Sequence, residues 1–162
     1  MDKKEIENIL NTAKRCFLEN DAYLLSAEAN ERSITHKFAE YLQDIFGCAW
    51  HVDCEYNRYG TDSKKIIEEI EQIIGKETTT SEIKTRTVFP DIIIHKRGED
   101  GPNLLVIEAK KDATEKEKNK DKEKLLKIKQ KHGYTFAVFL DFKTTHNDIA
   151  NNIVIEFINN SN

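Results

Sequence analysis

The chain lacks the long apolar run that a membrane helix requires: no hydrophobic stretch approaches the roughly 18 residues needed to span a bilayer. Its first residues, Met-Asp-Lys-Lys-Glu, contain no signal-type apolar segment, so the expected address is the cytoplasm. Cysteine is sparse. Cys16, Cys48 and Cys54 are an odd number without the spacing of a disulfide framework, which suits a reducing compartment. A Gly-rich phosphate loop is missing, and His36, His95, His132 and His146 have no Ser or Cys partner at an informative spacing. Cys48, His51 and Cys54 sit close together, but along one strand the two cysteines share a face and the histidine takes the other. With no fourth ligand nearby, a zinc site is rejected. Internal repeats and an interdomain linker are absent too.

The 162 residues are enough for one domain with a real core, and the apolar and charged fractions of 38% and 33% describe a polar-surfaced globule rather than a disordered chain. The net charge of −4 is a weak argument against a DNA-coating protein, yet it conceals an imbalance. Ten lysines and five acids fall between Lys110 and Lys131, a local +5 against −9 elsewhere. A basic element beside an acidic one suits a protein that grips phosphate while holding a divalent cation.

Apolar residues at three- and four-residue spacings predict a helix over 2–19 and a second over 30–46, N-capped by Asn30 and stopped by Gly47. Trp50 to Arg58 alternates as a strand, with Trp50, Val52, Cys54 and Tyr56 on one face. A short helix capped by Asp62 or Ser63 and ended by Gly75 should follow; residues 76–87 show no clear period. Asp112 to Lys131 suits a solvated helix whose last turns alone pack down. Tyr134 to Phe142 reads as a strand buried on both faces, and Asn152 to Ile158 as a last strand.

One stretch stands apart. In Val88 to Lys111, two apolar runs (Asp-Ile-Ile-Ile and Leu-Leu-Val-Ile) flank a Gly-, Asp-, Pro- and Asn-rich turn, the pattern of a β-hairpin. Asp91 opens the first run; Glu108 and Lys110 close the second and project from one face. Two carboxylates can hold a divalent cation, and a lysine beside them can position or deprotonate an attacking water, which is the equipment of phosphodiester hydrolysis. The Ala109 carbonyl lies between them as a further hard oxygen. The plain alternative is a salt bridge at a sheet edge.

Pro90-Asp91, sixteen residues, then Glu108-Ala109-Lys110 resembles the PD-(D/E)xK motif of the restriction-endonuclease-like nuclease superfamily. The resemblance covers roughly residues 28–143 and extends to the strand with Glu55 and the lysine-rich helix. It implies a single α/β domain over 1–162, a three-layer sandwich whose central mixed sheet is flanked by helices, with residues 1–27 as a helical extension. It further implies a Mg²⁺- or Mn²⁺-dependent endonuclease acting on DNA, with Asp91, Glu108 and Ala109 as metal ligands and Lys110 orienting water. Many members add a glutamate from the helix before the sheet; Glu31 fits best, Glu28 is the fallback, and Glu55 stays open. Arg58, Lys111, Lys116 and Lys120 are candidate nucleic-acid contacts, against a solvated helix face for the lysines and a surface residue for Arg58. A homodimer and a separate targeting protein are both open. The competing reading is a nuclease-fold module that binds nucleic acid or a protein without turnover.

Overall fold

Side chains that satisfy free amides set where the helices begin. In the computed structural model, which describes residues 1–56, 89–98, 101–144 and 151–159, helix α1 (Lys3–Asn20) starts with a capping box. Asp2 accepts from the Glu5 N–H at 2.8 Å, and Glu5 accepts from the Asp2 N–H at 2.6 Å. A single turn, α2 (Tyr23–Ser26), leads to α3 (Glu31–Phe46), where the Asn30 side chain accepts from Ser33 N–H at 2.8 Å and Gly47 leaves the helix at φ +57°. A 3₁₀ turn (Gly47–Ala49) precedes strand β1 (His51–Cys54). Strands β2 (Ile92–His95) and β3 (Asn103–Lys111) form the expected antiparallel hairpin. Helix α4 (Glu115–His132) opens on a second capping box, Thr114 with Glu117, and closes at Gly133 in the left-handed conformation. Strands β4 (Phe136–Phe142) and β5 (Ile153–Phe157) follow.

Among the described residues five strands form one sheet, in the order β1-β2-β3-β4-β5. The β3–β4 pair is parallel and the other three pairs are antiparallel, so the sheet is mixed. Two parallel neighbours need a crossover, and α4 supplies it. Alternation along the strands then sorts side chains into two cores. Ile92, Ile94, Leu105, Ile107, Ala109, Leu140 and Phe142 pack with α1 and α3. Ile93, Val106, Ala137 and Phe139 pack with Leu125 and Ile128 of α4. Helices thus cover both faces of a mixed α/β sheet. Phe17, Phe38 and Phe142 lock the larger core, with ring centroids 5.8–6.2 Å apart; each such pair adds about 0.5–1.5 kcal/mol beyond burial.

Several expectations need correction. Strand β1 ends at Cys54, because Glu55 takes φ +46° and turns the chain. Tyr56 therefore packs on the α4 side, while Trp50, Val52 and Cys54 pack on the opposite core. Cys48 belongs to the 3₁₀ turn rather than to a strand. Arg58, the helix expected between Asp62 and Gly75, and residues 76–87 lie outside the described residues. Among the described residues no helix is long and apolar enough to cross a membrane.

Candidate active site

The site begins where β2 is shorter than its partner. Ile92 pairs with Ile107, so one step further places Asp91 opposite Glu108, and both follow the parity of Ile93 and Val106 toward α4. The Asp91 carbonyl accepts from Glu55 N–H at 3.1 Å, which turns the Asp91 backbone toward β1 and that of Pro90 toward β3. Pro90, opposite Ala109, has no N–H to offer the Ala109 carbonyl. The Ala109 N–H is taken instead by Asp91 Oδ2 at 2.8 Å. Because N–H and C=O of one strand residue point the same way, the Ala109 carbonyl opens on the Asp91 side.

Two residues on, the same edge of β3, beyond its described pairing with β2, meets α3. Lys111 N–H donates to Glu31 Oε2 at 3.0 Å, and Lys110 Nζ lies 3.1 Å from Glu31 Oε1. Both Glu31 oxygens are thereby occupied. Burial disfavours the charged form of Lys110, but the hydrogen bond and negative charge of Glu31 outweigh it and hold its pKa above the ordinary lysine value. Lys110 is an ammonium at neutral pH, suited to orienting water or countering phosphate charge rather than to accepting a proton.

Glu108 is the most constrained group. It is 3% exposed, and burial, reinforced by the Asp91 charge, pushes its pKa up to about 8 despite the ammonium of Lys124, 2.8 Å from Oε1. Burial also raises Asp91, with the Ala109 amide pulling it back down. Asp121, one turn before Lys124, acts on the charge of both Glu108 and Lys110, and its Oδ2 is buried without a hydrogen-bond partner among the described residues. Glu31, Asp91, Glu108 and Asp121 against Lys110 and Lys124 leave two negative charges uncompensated when all are ionised.

The other predicted contacts scatter. Lys111 Nζ is turned inward onto the carbonyls of Glu28 and Ala29, 3.4 and 3.2 Å away. Lys116 and Lys120 are exposed, one turn apart on the outer side of α4. Glu55 pairs with Arg32 at 2.9 Å, and the Glu28 backbone rather than its carboxylate meets Lys111. Glu28, Glu55 and Asp112 are non-glycine residues at φ of +46° to +52°, placed just before α3 and just after β1 and β3. A cleft of about 520 Å³ runs along the start of α3, lined by Leu24, Glu31, Thr35, Cys54, Glu55 and Asp91. The Thr35 hydroxyl is buried there without a hydrogen-bond partner among the described residues.

Sequence motifs alone do not single out Lys124 and Asp121, and α4 is not merely a solvated helix with packed last turns. The apolar stripe of Leu125 and Ile128, continued backward by three and four residues, reaches Lys124, Asp121, Lys122 and Lys118. Lys118 meets the buried Asp141 at 3.1 Å and Lys122 meets Glu156 at 2.6 Å, so the charged half of α4 covers the polar end of the sheet. That continuation is the signal the sequence offers for both residues. Comparison with family models, with curated proteins and with solved structures gives no match.

Proposed function

We propose that the chain is a metal-dependent nuclease of the restriction-endonuclease-like fold, hydrolysing phosphodiester bonds, with DNA as its substrate. The observation that carries this reading is the cross-strand opposition of Asp91 and Glu108 where β2 begins, with Lys110 two residues on and the Ala109 carbonyl between them. The donor set fits a hard divalent cation. It is all oxygen, the cluster around it is left with two uncompensated negative charges when every group is ionised, and burial together with the Asp91 charge holds Glu108 back from ionising in the cation's absence. Among the described residues no three His, Cys, Asp or Glu side chains converge, which makes Ala109 the third protein ligand of this reading. Bound Mg²⁺ or Mn²⁺ supplies an acidified water and neutralises phosphate charge.

The remaining chemistry belongs to the chain. Asp91 fixes the Ala109 peptide through its N–H, so one carboxylate orients two ligands. Lys110 presents a protonated ammonium to the attacking water or a phosphate oxygen, and Glu31 positions it. The cleft beside Asp91 and Glu31 leaves room for the substrate strand. Incubation of plasmid DNA with Mg²⁺ or Mn²⁺ should give nicked or degraded product, and Asp91→Ala or Lys110→Ala should abolish it. Wild-type-level cleavage by both variants refutes the assignment. The second reading, a module without turnover, draws on Lys124: an internal ammonium already neutralises Glu108. Calorimetric titration separates the two. Micromolar Mn²⁺ binding lost in Glu108→Ala supports a catalytic metal site, whereas no binding even with DNA present supports the module.

A further inference from the structure

The ion pair between Lys124 and Glu108 poses a problem for the site just proposed, on which this inference rests. Lys124 lies 2.8 Å from Glu108 Oε1, no other described group bonds that oxygen, and both side chains are largely buried, 16% and 4% exposed. A divalent cation held between Asp91 and Glu108 would meet the ammonium as a like charge at a few ångströms, in surroundings that screen poorly. The ammonium needs somewhere to go. One turn earlier on the same helix, the Asp121 Oδ2 oxygen is buried and has no hydrogen-bond partner among the described residues. Residues three apart on a helix are neighbours on one face, so a change of Lys124 rotamer carries its ammonium from Glu108 to Asp121 without moving the backbone. A buried carboxylate oxygen left unpartnered is costly and calls for a reason.

We infer that Lys124 is the resident counter-ion of the metal-free site and that a divalent cation takes Glu108 from it, the ammonium passing to Asp121. Lys124 and Asp121 are then positioning residues: the pair sets how tightly the site takes a cation while keeping Glu108 compensated in the cation's absence. The exchange also accounts for a Lys-Glu pair lying where the motif calls for a free ligand.

The test is a double-mutant cycle read by Mn²⁺ affinity in calorimetry on the full chain, with no nucleic acid present. Lys124→Gln removes the internal competitor and should tighten Mn²⁺ binding by roughly tenfold, the scale of coupling between charges in direct contact. Asp121→Asn removes the place that receives the ammonium and should weaken binding by about tenfold in the wild-type background, but by less than about twofold once Lys124 is Gln. An equal effect of Asp121→Asn in both backgrounds overturns the exchange while leaving the metal site intact. Absence of Mn²⁺ binding in every variant, wild type included, overturns the metal site and the exchange together. Should Lys124→Gln not fold, NMR of ¹⁵N-lysine-labelled wild type, with Lys124→Arg for assignment, gives the same answer. Mg²⁺ should move the Lys124 ammonium signal, and Asp121→Asn should suppress that movement; an unmoved signal overturns the proposal.

Discussion

Glu31 shows how far one side chain's position can be read in advance. As the first residue of α3 it has an ordinary task, a negative charge at a helix N-terminus worth about 0.3–1 kcal/mol. The structure gives it two more, the Lys110 ammonium and the Lys111 amide. Its placement in the first helical turn is legible from Asn30 and the apolar period. Its partners are not, because they lie about eighty residues away and depend on where β3 outruns β2. Glu31→Gln keeps an oxygen for the Lys111 amide and removes the charge that steadies Lys110. Nicking of plasmid DNA should therefore fall by about tenfold while Mn²⁺ affinity changes by less than about threefold, since Glu31 orients a neighbour rather than a ligand. A large loss of Mn²⁺ affinity would place Glu31 among the ligands instead.

At the scale of elements, boundaries are legible where a cap or a stop residue marks them, as with Asn30, Gly47 and Gly133. Alternation alone overextends β1, because the pattern continues through Tyr56, whereas the turn at Glu55 is a backbone event that side-chain pattern does not announce. The β1–β2 pair is held by a charged cluster on the α4 face. His95 Nε2 lies 2.8 Å from Asp53 Oδ2, and Arg97 binds both Asp53 oxygens. Burial alone would raise Asp53, but the hydrogen bonds from Arg97 and His95 outweigh it and hold its pKa below the ordinary carboxylate value. An acid with a depressed pKa in the fold stabilises above its unfolded pKa of about 4, and that contribution is lost as pH falls through the folded value. Asp53→Asn should thus cost about 1–3 kcal/mol in urea melts at pH 7. The difference from wild type should shrink steadily below pH 4; a gap that stays constant with pH would show that packing, not charge, accounts for the loss. On α4, Thr114→Ala removes the cap and should cost about 1 kcal/mol in the same assay.

For the molecule as a whole, the hairpin and the flanking helices follow from local pattern, since each depends on periods of two or 3.6 residues, whereas the mixed character of the sheet is an expectation of the family resemblance and not of any period. The convergence of α4 on the site follows from neither. Nine of the ten helical residues before Leu125 are charged, which gives no amphipathic contrast between lysines that turn inward and lysines that face water. The structure draws that distinction. Lys118, Lys122 and Lys124 are spent on Asp141, Glu156 and Glu108, and Lys111 on backbone carbonyls, so the local +5 seen in the sequence is not all available to a polyanion. Lys116 and Lys120 are exposed on the outer side, where no ion pair holds them among the described residues. If they contact phosphate, each releases a condensed counterion on binding, and the salt dependence of affinity counts them. The double variant Lys116→Gln/Lys120→Gln should weaken binding to duplex DNA, measured in Ca²⁺ so that no cleavage intervenes. It should also reduce the slope of log affinity against log salt by roughly 2, about 0.9 for each phosphate no longer neutralised. Mn²⁺ affinity should not change, because neither lysine lies within the charge cluster around Glu108. A slope equal to that of wild type would assign both side chains to solvent and move the nucleic-acid surface to the cleft along α3.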